Sequence, residues 1–169
     1  DCADVGAPVT VTLTVTDVAG NTNTCTAMVT VEDTISPTAL CQDITVQLDA
    51  TGSATITAGD IDNGSSDNCG IDTMYLDMTT FDCSHLGTNT VTLTVEDVNG
   101  NTSTCTATVT VEDNIDPTAV CQDITVYLDA TGSATIADSD LDGGSTDNDT
   151  CTALTFSASQ TTFDCNDMD

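Results

Sequence analysis

Hydrophobic and polar residues alternate along short stretches of this chain, with the two-residue period of a β-strand. Threonine fills most of the intervening positions of the later runs, and turn sequences at residues 49–52, 62–64 and 99–100 separate the runs. The pattern predicts an all-β fold of short antiparallel strands. The alternating apolar residues are Ile44, Val46 and Leu48; Ala54 and Ile56; Met74, Leu76 and Met78; Val91, Leu93 and Val95; Cys105, Ala107, Val109 and Val111.

The chain repeats itself with a period of about 80 residues. Residues 11–33 and 91–113 differ at four positions, and Cys25 corresponds to Cys105, an offset of 105 − 25 = 80. Such a period is the size of a small domain. We therefore expect the C-terminal strands of a partial repeat at 1–32, a complete repeat at 33–112 and the N-terminal part of a following repeat at 113–169. Residues 1–6 and 164–169 both correspond to residues 82–87, so the two partial repeats overlap slightly.

The charge of the chain is entirely one-sided. Its 169 residues include 28 Asp and Glu and no Lys or Arg, which gives a formal net charge of −28. Nucleic acids and anionic membrane surfaces are excluded as partners by this charge, and no apolar run is long enough for membrane insertion. Because carboxylates are hard oxygen ligands, Ca²⁺ is the cation that such a surplus of aspartate favours.

Nine cysteines accompany a small apolar content with few aromatics. None of them has the C-x-x-C spacing typical of a zinc site, so the pattern indicates a disulfide framework and an oxidising compartment. We expect an extracellular or cell-surface protein.

Three segments carry a family resemblance. The sequences DPTAVCQDITV, SDNCG and DVNGNTSTCTATVTVED resemble the hyalin-repeat (HYR-like) modules that occur in tandem in secreted and cell-surface proteins, notably of gliding Bacteroidetes. This resemblance implies tandem immunoglobulin-like antiparallel β-sandwich repeats and an adhesive or scaffolding role, without catalytic residues. The alternating strands and short turns favour the same fold.

The four cysteines of the complete repeat allow three connectivities. In an immunoglobulin-like sandwich the first strand can lie beside the last, which favours a Cys41–Cys105 disulfide. Cys69 and Cys83 would then close the remaining loop, and Cys151 with Cys165 would repeat that bridge. A Cys105–Cys121 bridge is rejected, because the strand after Cys105 carries the chain too far away.

This assignment leaves Cys2, Cys25 and Cys121 without partners. Either the sequence is part of a longer covalent array, or the strands of residues 11–32 in one subunit complete the open repeat of the next by β-strand complementation. Both alternatives predict a linear homopolymer.

Two sets of acidic residues are candidate calcium ligands. One is an acidic loop around a glycine turn, and the other is the junction between repeats, to which the next domain would contribute an aspartate. Ordinary turns and flexible linkers are the competing interpretations. Asp17 and Asp97 are interpreted as turn-capping residues. The loop set is Asp60, Asp62 and Asp67 with Asp140, Asp142 and Asp147; the junction set is Glu32, Asp33, Asp43, Glu112, Asp113, Asp116 and Asp123.

The sequence therefore predicts a structural protein, the subunit of a calcium-stabilised filament or stalk. The alternative is a calcium-dependent adhesin module that binds a glycan or a partner protein, with multivalency supplied by the repeats. We do not expect an enzyme, because the single histidine, His85, has no partners for a catalytic triad and aromatic residues for a sugar cleft are few.

Overall fold

The strands follow the alternating runs of the sequence. A computed structural model describes residues 1–147 and 153–167, and within them the fold is all-β. One short helix, α1 (Ala58–Ile61), and 3₁₀ turns at Cys2–Asp4, Cys83–His85, Asp138–Leu141 and Cys165–Asp167 accompany the strands. The strands are β1 (Val9–Thr16), β2 (Thr22–Val29), β3 (Ile44–Gln47), β4 (Ser53–Thr55), β5 (Ile71–Leu76), β6 (Thr80–Asp82), β7 (Gly87–Asp97), β8 (Thr102–Glu112), β9 (Ser133–Thr135) and β10 (Thr162–Asp164).

The largest sheet has four strands in the order β3-β8-β7-β5. β5 runs antiparallel to β7, with Met74 opposite Val95 and Leu76 opposite Leu93. The remaining strands form two-stranded antiparallel pairs: β1 with β2, β4 with β6, and β9 with β10. The chain reverses between β1 and β2 and between β7 and β8 at Gly20 and Gly100, whose φ angles of 88° and 87° favour glycine.

The best-buried side chains all fall between residues 33 and 112. Over residues 91–97 of β7 and 107–111 of β8 every second residue is buried, as expected for strands with one face towards a core. Each buried Val or Leu side chain among them contributes roughly 1.5–3 kcal/mol. The buried hydrophobic residues are Leu48, Ile56, Ile61, Phe81, Val91, Leu93, Val95, Ala107, Val109 and Val111.

The chain forms two compact units, each discontinuous in sequence. The first comprises Asp1–Ile44, Ile56–Thr79 and Thr90–Val109, and it contains the β1–β2 hairpin, α1 and β5. The second comprises Thr45–Thr55, Thr80–Asn89 and Thr110–Asp169, and it contains the β4–β6 and β9–β10 pairs. The repeat boundaries at 32/33 and 112/113 stay predictions.

Two disulfides lie within the first unit. Cys41 bonds Cys105 with a Cα–Cα distance of 5.8 Å, which is the pairing predicted from the sequence. Cys2 bonds Cys69 with a Cα–Cα distance of 5.4 Å. The bridges span sequence separations of 64 and 67 residues, and loops of that length correspond to about 4 kcal/mol of stabilisation each. These bonds indicate an oxidising environment.

The predicted Cys69–Cys83 bridge is wrong. Cys69 precedes β5 of the four-stranded sheet, whereas Cys83 follows β6, which pairs with β4 in a separate sheet and belongs to the second unit. Cys83 is disulfide-bonded, but not to Cys69.

The expectation that Cys2 has no partner in the chain is also wrong, because Cys2 bonds Cys69. Of the predicted Cys151–Cys165 bridge, Cys151 lies outside the described residues, and Cys165 is free and exposed, which contradicts the pairing. Cys25 and Cys121 are free and exposed, as expected.

Residues 113–147 reproduce the isolated bridges of residues 33–67, although they have no counterpart of β3. The isolated bridges Thr38–Ser66 and Cys41–Asp62 recur as Thr118–Thr146 and Cys121–Asp142. The β9–β10 pair has the register of β4–β6, with Ala134 opposite Phe163 where Ala54 is opposite Phe81. The repetition detected in the sequence is therefore also a repetition of backbone hydrogen bonding. In the described part of the chain, no helix has both the length and the apolar character needed to cross a membrane.

Candidate metal centre

Three aspartates from separate segments meet in the first unit. Asp33 follows the β1–β2 hairpin, Asp67 lies in the loop before β5, and Asp97 is the last residue of β7. One carboxylate oxygen from each lies within 4.8 Å of the other two. Within residues 1–147 and 153–167 this is the single group of three acidic, histidine or cysteine side chains with such spacing.

Asp97 is the buried member of the group, with 1% of its surface exposed. Its Oδ1 accepts backbone N–H hydrogen bonds from Asn99 and Asn101 at 2.9 and 2.8 Å, and its Oδ2 accepts one from the Asn101 amide at 2.8 Å. Burial opposes ionisation of this carboxyl, but these hydrogen bonds outweigh it and lower the pKa of Asp97 below its ordinary value. The turn after β7 therefore holds a carboxylate anion in the interior.

Asp67 is fixed by the backbone that follows it. Its Oδ2 accepts hydrogen bonds from the N–H groups of Cys69 and Gly70 at 2.7 and 3.2 Å. Its Oδ1 is buried and has no hydrogen-bond partner among the residues that the structure describes. An unsatisfied buried acceptor typically costs about 1–3 kcal/mol, and more when the group is charged. A bound cation would supply the missing partner.

Asp33 connects the group to the two neighbouring loops. Its Oδ2 accepts a hydrogen bond from the Asn68 amide at 3.1 Å, and its backbone carbonyl accepts one from the Asn101 amide at 3.2 Å. The two asparagines therefore tie Asp33 to the loop that carries Asp67 and to the turn that carries Asp97.

Mutual repulsion makes the group costly without a counterion. Unit charges 4.8 Å apart repel by roughly 3 kcal/mol for each pair at an effective dielectric constant of about 20. The sequence contains no Lys or Arg that could neutralise them. Three carboxylates with a free lone pair are the oxygen-rich donor set that Ca²⁺ takes.

The Cys2–Cys69 disulfide lies beside this centre. The Sγ of Cys2 lies 3.6 Å from the carbonyl oxygen of Asn68, whose side-chain amide donates to Asp33. The backbone N–H of Cys69 donates to Asp67. Cys2, Asp33 and Cys69 line one shallow cleft of the first unit. The bridge that joins residue 2 to residue 69 therefore also positions two of the three acidic segments.

The other loop residues predicted as ligands serve the turns instead. Asp60 accepts hydrogen bonds from the N–H and hydroxyl of Thr57 at 2.7 and 2.8 Å, at the start of α1. Asp62 accepts hydrogen bonds from the N–H groups of Ser65 and Gly64. Its pKa is lowered by hydrogen bonds, and the one from the Ser65 side chain has the largest effect. The structure does not bring Asp60 and Asp62 into one group with Asp67, and both carboxylates accept hydrogen bonds from their own turns.

The second acidic loop follows the same pattern. Asp140 accepts a hydrogen bond from the Ala137 N–H at 2.9 Å, and Asp142 accepts one from the Ser145 N–H at 2.8 Å. Asp147 corresponds to Asp67 and has an interaction of its own.

The residues of the junction set are separated. Asp33 joins the metal centre, whereas Asp43 accepts a hydrogen bond from the Thr108 N–H at 2.7 Å and Glu112 accepts one from the Gln47 amide at 2.7 Å. Asp113 accepts one from the Ile115 N–H at 3.1 Å. The remaining three, Glu32, Asp116 and Asp123, are exposed.

Asp97 is the member of the three-aspartate group that sequence reasoning missed. It was interpreted as a turn cap, and it does cap the turn, but it also faces Asp33 and Asp67. Local sequence predicts the first role from the Asp-x-x-Gly-Asn pattern. The second depends on tertiary contacts that place the end of β7 beside the loop before β5.

Comparison with known proteins identified no relative. A scan against protein-family models gave no match, and a search of curated proteins found no similar sequence.

Proposed function

We propose that this chain is a structural subunit of an extracellular, calcium-stabilised and disulfide-bonded filament or stalk. Its units would be tandem immunoglobulin-like β-sandwich repeats of about 80 residues, similar to the hyalin-repeat type. Its partners would be copies of itself at the cell surface or outside the cell.

The Cys2–Cys69 disulfide is the observation that carries this proposal. By the sequence register, Cys2 corresponds to Cys83 and belongs to the end of one repeat, whereas Cys69 belongs to the middle of the next. A bond between successive repeats resists extension of the chain, because their junction cannot open without breaking it. An isolated binding module has no need of such a bond.

The acidic centre supports the same role. Asp33 lies at the predicted start of the complete repeat, and Asp67 and Asp97 come from inside it. A Ca²⁺ ion held by all three would fix the entry segment against the body of the repeat. Calcium and the disulfide would then act on the same junction.

Electron microscopy of the purified oxidised chain tests this function. In millimolar Ca²⁺ we expect uniform filaments, and with EGTA plus a thiol reductant we expect short or dispersed particles; Mg²⁺ at the same concentration is the matched ionic control. Dispersed monomers in Ca²⁺ that bind components of a glycan array would contradict the proposal and favour the adhesin alternative.

A further inference from the structure

The segment after residue 113 has an uncovered apolar groove. Within the second unit, a cavity of about 410 Å³ is lined by the apolar side chains of Ile124, Val126, Ile136, Leu141 and Phe163. Ile124 and Val126 are 38% and 39% exposed.

Three of the five equivalent residues in the complete repeat are buried, and the other two, Ile44 and Val46, are half-buried. Ile56, Ile61 and Phe81, which correspond to Ile136, Leu141 and Phe163, are 4%, 0% and 2% exposed. The complete repeat differs by having the β7–β8 hairpin, which occupies the centre of the sheet β3-β8-β7-β5. Within residues 113–147 and 153–167 there is no equivalent of that hairpin.

The backbone shows the same deficiency. Residues 44–47 form β3, which lies next to β8, but the nearly identical residues 124–127 form no strand. Residues 71–76 form β5 beside β7, but the corresponding residues 153–158 also form none. Both segments lack the strand with which they would pair.

A hairpin of the required sequence is present and uncovered in the first unit. β1 and β2 correspond to β7 and β8 with an offset of 80 residues. Val11, Leu13 and Val15 are 47%, 59% and 59% exposed, whereas the equivalent Val91, Leu93 and Val95 are fully buried.

We propose that the β1–β2 hairpin of one chain inserts into the open repeat of a second copy of the same chain. β2 would pair with residues 124–127 and β1 with residues 153–158, which reproduces the strand order of the complete repeat. The inference deepens the proposed filament function by naming the partner surface and the element that fills it.

A disulfide fixes the register of this insertion. Cys25 of the donor corresponds to Cys105, and Cys121 of the acceptor corresponds to Cys41, which is the partner of Cys105. Both thiols are free and exposed. Their oxidation releases two protons and two electrons, and a small-molecule disulfide such as oxidised glutathione accepts them and becomes two thiols.

The same insertion rebuilds the metal centre between two chains. Asp17 corresponds to Asp97 and has the same turn hydrogen bonds, from the N–H groups of Ala19 and Asn21 and from the Asn21 amide. Asp113 and Asp147 of the acceptor correspond to Asp33 and Asp67. Cys2 remains bonded to Cys69 in the donor. The donor does not have to contribute residues 1–6, because residues 162–167 of the acceptor already form the corresponding short strand and 3₁₀ turn.

Mixing two complementary variants tests the insertion. A chain with Cys25→Ser retains only the acceptor cysteine, and a chain with Cys121→Ser retains only the donor cysteine; both carry Cys165→Ser. In a glutathione redox buffer, neither variant alone can form the Cys25–Cys121 bond. The mixture should give crosslinked dimers that do not grow further. The chain that keeps both Cys25 and Cys121 should give a ladder of crosslinked oligomers on a non-reducing gel. Mass spectrometry should identify Cys25–Cys121 as the crosslink.

Two substitutions on β1 provide the matched control. Leu13→Glu places a charge on the face that would become buried and should lower the dimer yield at least about tenfold, whereas Thr12→Glu on the opposite face should change it less than about twofold. Leu13 is exposed in the free hairpin, so the free chain should fold in both variants.

The outcomes separate this inference from the proposed function. No dimer, a Cys25–Cys121 bond within one chain, or a yield unaffected by Leu13→Glu would overturn the insertion. Filaments that persist when both cysteines are replaced and Leu13 is Glu would also overturn it but leave the filament function standing. Dimers that depend on the hairpin, formed by a chain that builds no filaments, would support the insertion and contradict the proposed filament function.

Discussion

Asp17 and Asp97 occupy the same position in two hairpins of nearly identical sequence, but their surroundings differ. Both carboxylates accept hydrogen bonds from the turn that follows, and these bonds lower the pKa of each. For Asp17 the largest cause is the hydrogen bond from the Asn21 side chain. For Asp97 burial opposes the lowering, but the hydrogen bonds outweigh it. Asp17 is exposed, whereas Asp97 is buried beside Asp33 and Asp67. Within one chain the pair therefore separates turn capping from membership of the three-aspartate group.

The substitution Asp97→Asn should weaken calcium binding to the monomer at least about tenfold, because it removes one of three charged ligands. Asp17→Asn, the matched control, removes an equivalent turn carboxylate that lies outside this cluster in the monomer and should leave the affinity unchanged. Both variants carry Leu13→Glu, so that the proposed insertion does not bring Asp17 into a centre between two chains. Isothermal titration calorimetry with Ca²⁺ measures both.

Thermal unfolding gives a second measurement of the same site. Ca²⁺ at a hundred times its dissociation constant should raise the melting temperature of the wild type by about 5–10 °C relative to EGTA. The rise should largely disappear for Asp97→Asn and persist for Asp17→Asn. An equal response of both variants, or no response in the wild type, would exclude the three-aspartate centre.

At this scale the sequence predicts part of the three-aspartate group. Asp33 and Asp67 are identified as candidates because they lie in acidic segments near turns. Asp60 and Asp62 are candidates for the same reason, but the structure does not bring them into this group. Local sequence identifies carboxylates near turns and does not show which of them also face other segments. Only the fold shows that Asp67 retains an unpaired oxygen.

At the scale of the element, alternation predicts strands wherever the pairing partner is present. β7 and β8 form as their period-two pattern indicates, with alternate side chains buried. Residues 124–127 have the same sequence as β3 apart from the last position and form no strand. The difference is tertiary, because a strand requires hydrogen bonds from a neighbour that its own sequence does not supply.

Hydrogen exchange should distinguish these two copies directly. We expect the amides of residues 44–47 to be protected in the monomer and those of 124–127 to exchange far faster, although their intrinsic rates are matched by sequence. Insertion of a hairpin from a second copy should raise the protection of 124–127 in the crosslinked dimer. Equal protection of both segments in the monomer would show that the strand at 124–127 needs no partner.

At the scale of the whole molecule, the repeat can be detected in the sequence, but the disulfide connectivity cannot. Cys41–Cys105 is predicted correctly because it joins the first and last strands of one repeat. Cys69 was assigned to Cys83 on the assumption that each repeat closes its own bridges. The structure instead bonds Cys69 to Cys2, which lies in the preceding repeat by the sequence register. Cysteine spacing alone does not distinguish a bond within a repeat from one between repeats.

Covalent connection between successive repeats is the central claim of this account, and disulfide mapping tests it most directly. Trypsin is unsuitable, because the chain has no Lys or Arg, but Asp-N protease cleaves before aspartate and separates the relevant cysteines. A non-reducing digest should contain the peptide of residues 1–3 linked through Cys2 to the peptide of residues 67–71 through Cys69. Linkage of residues 67–71 to the peptide that begins at Asp82 would place the bridge inside one repeat and contradict the account.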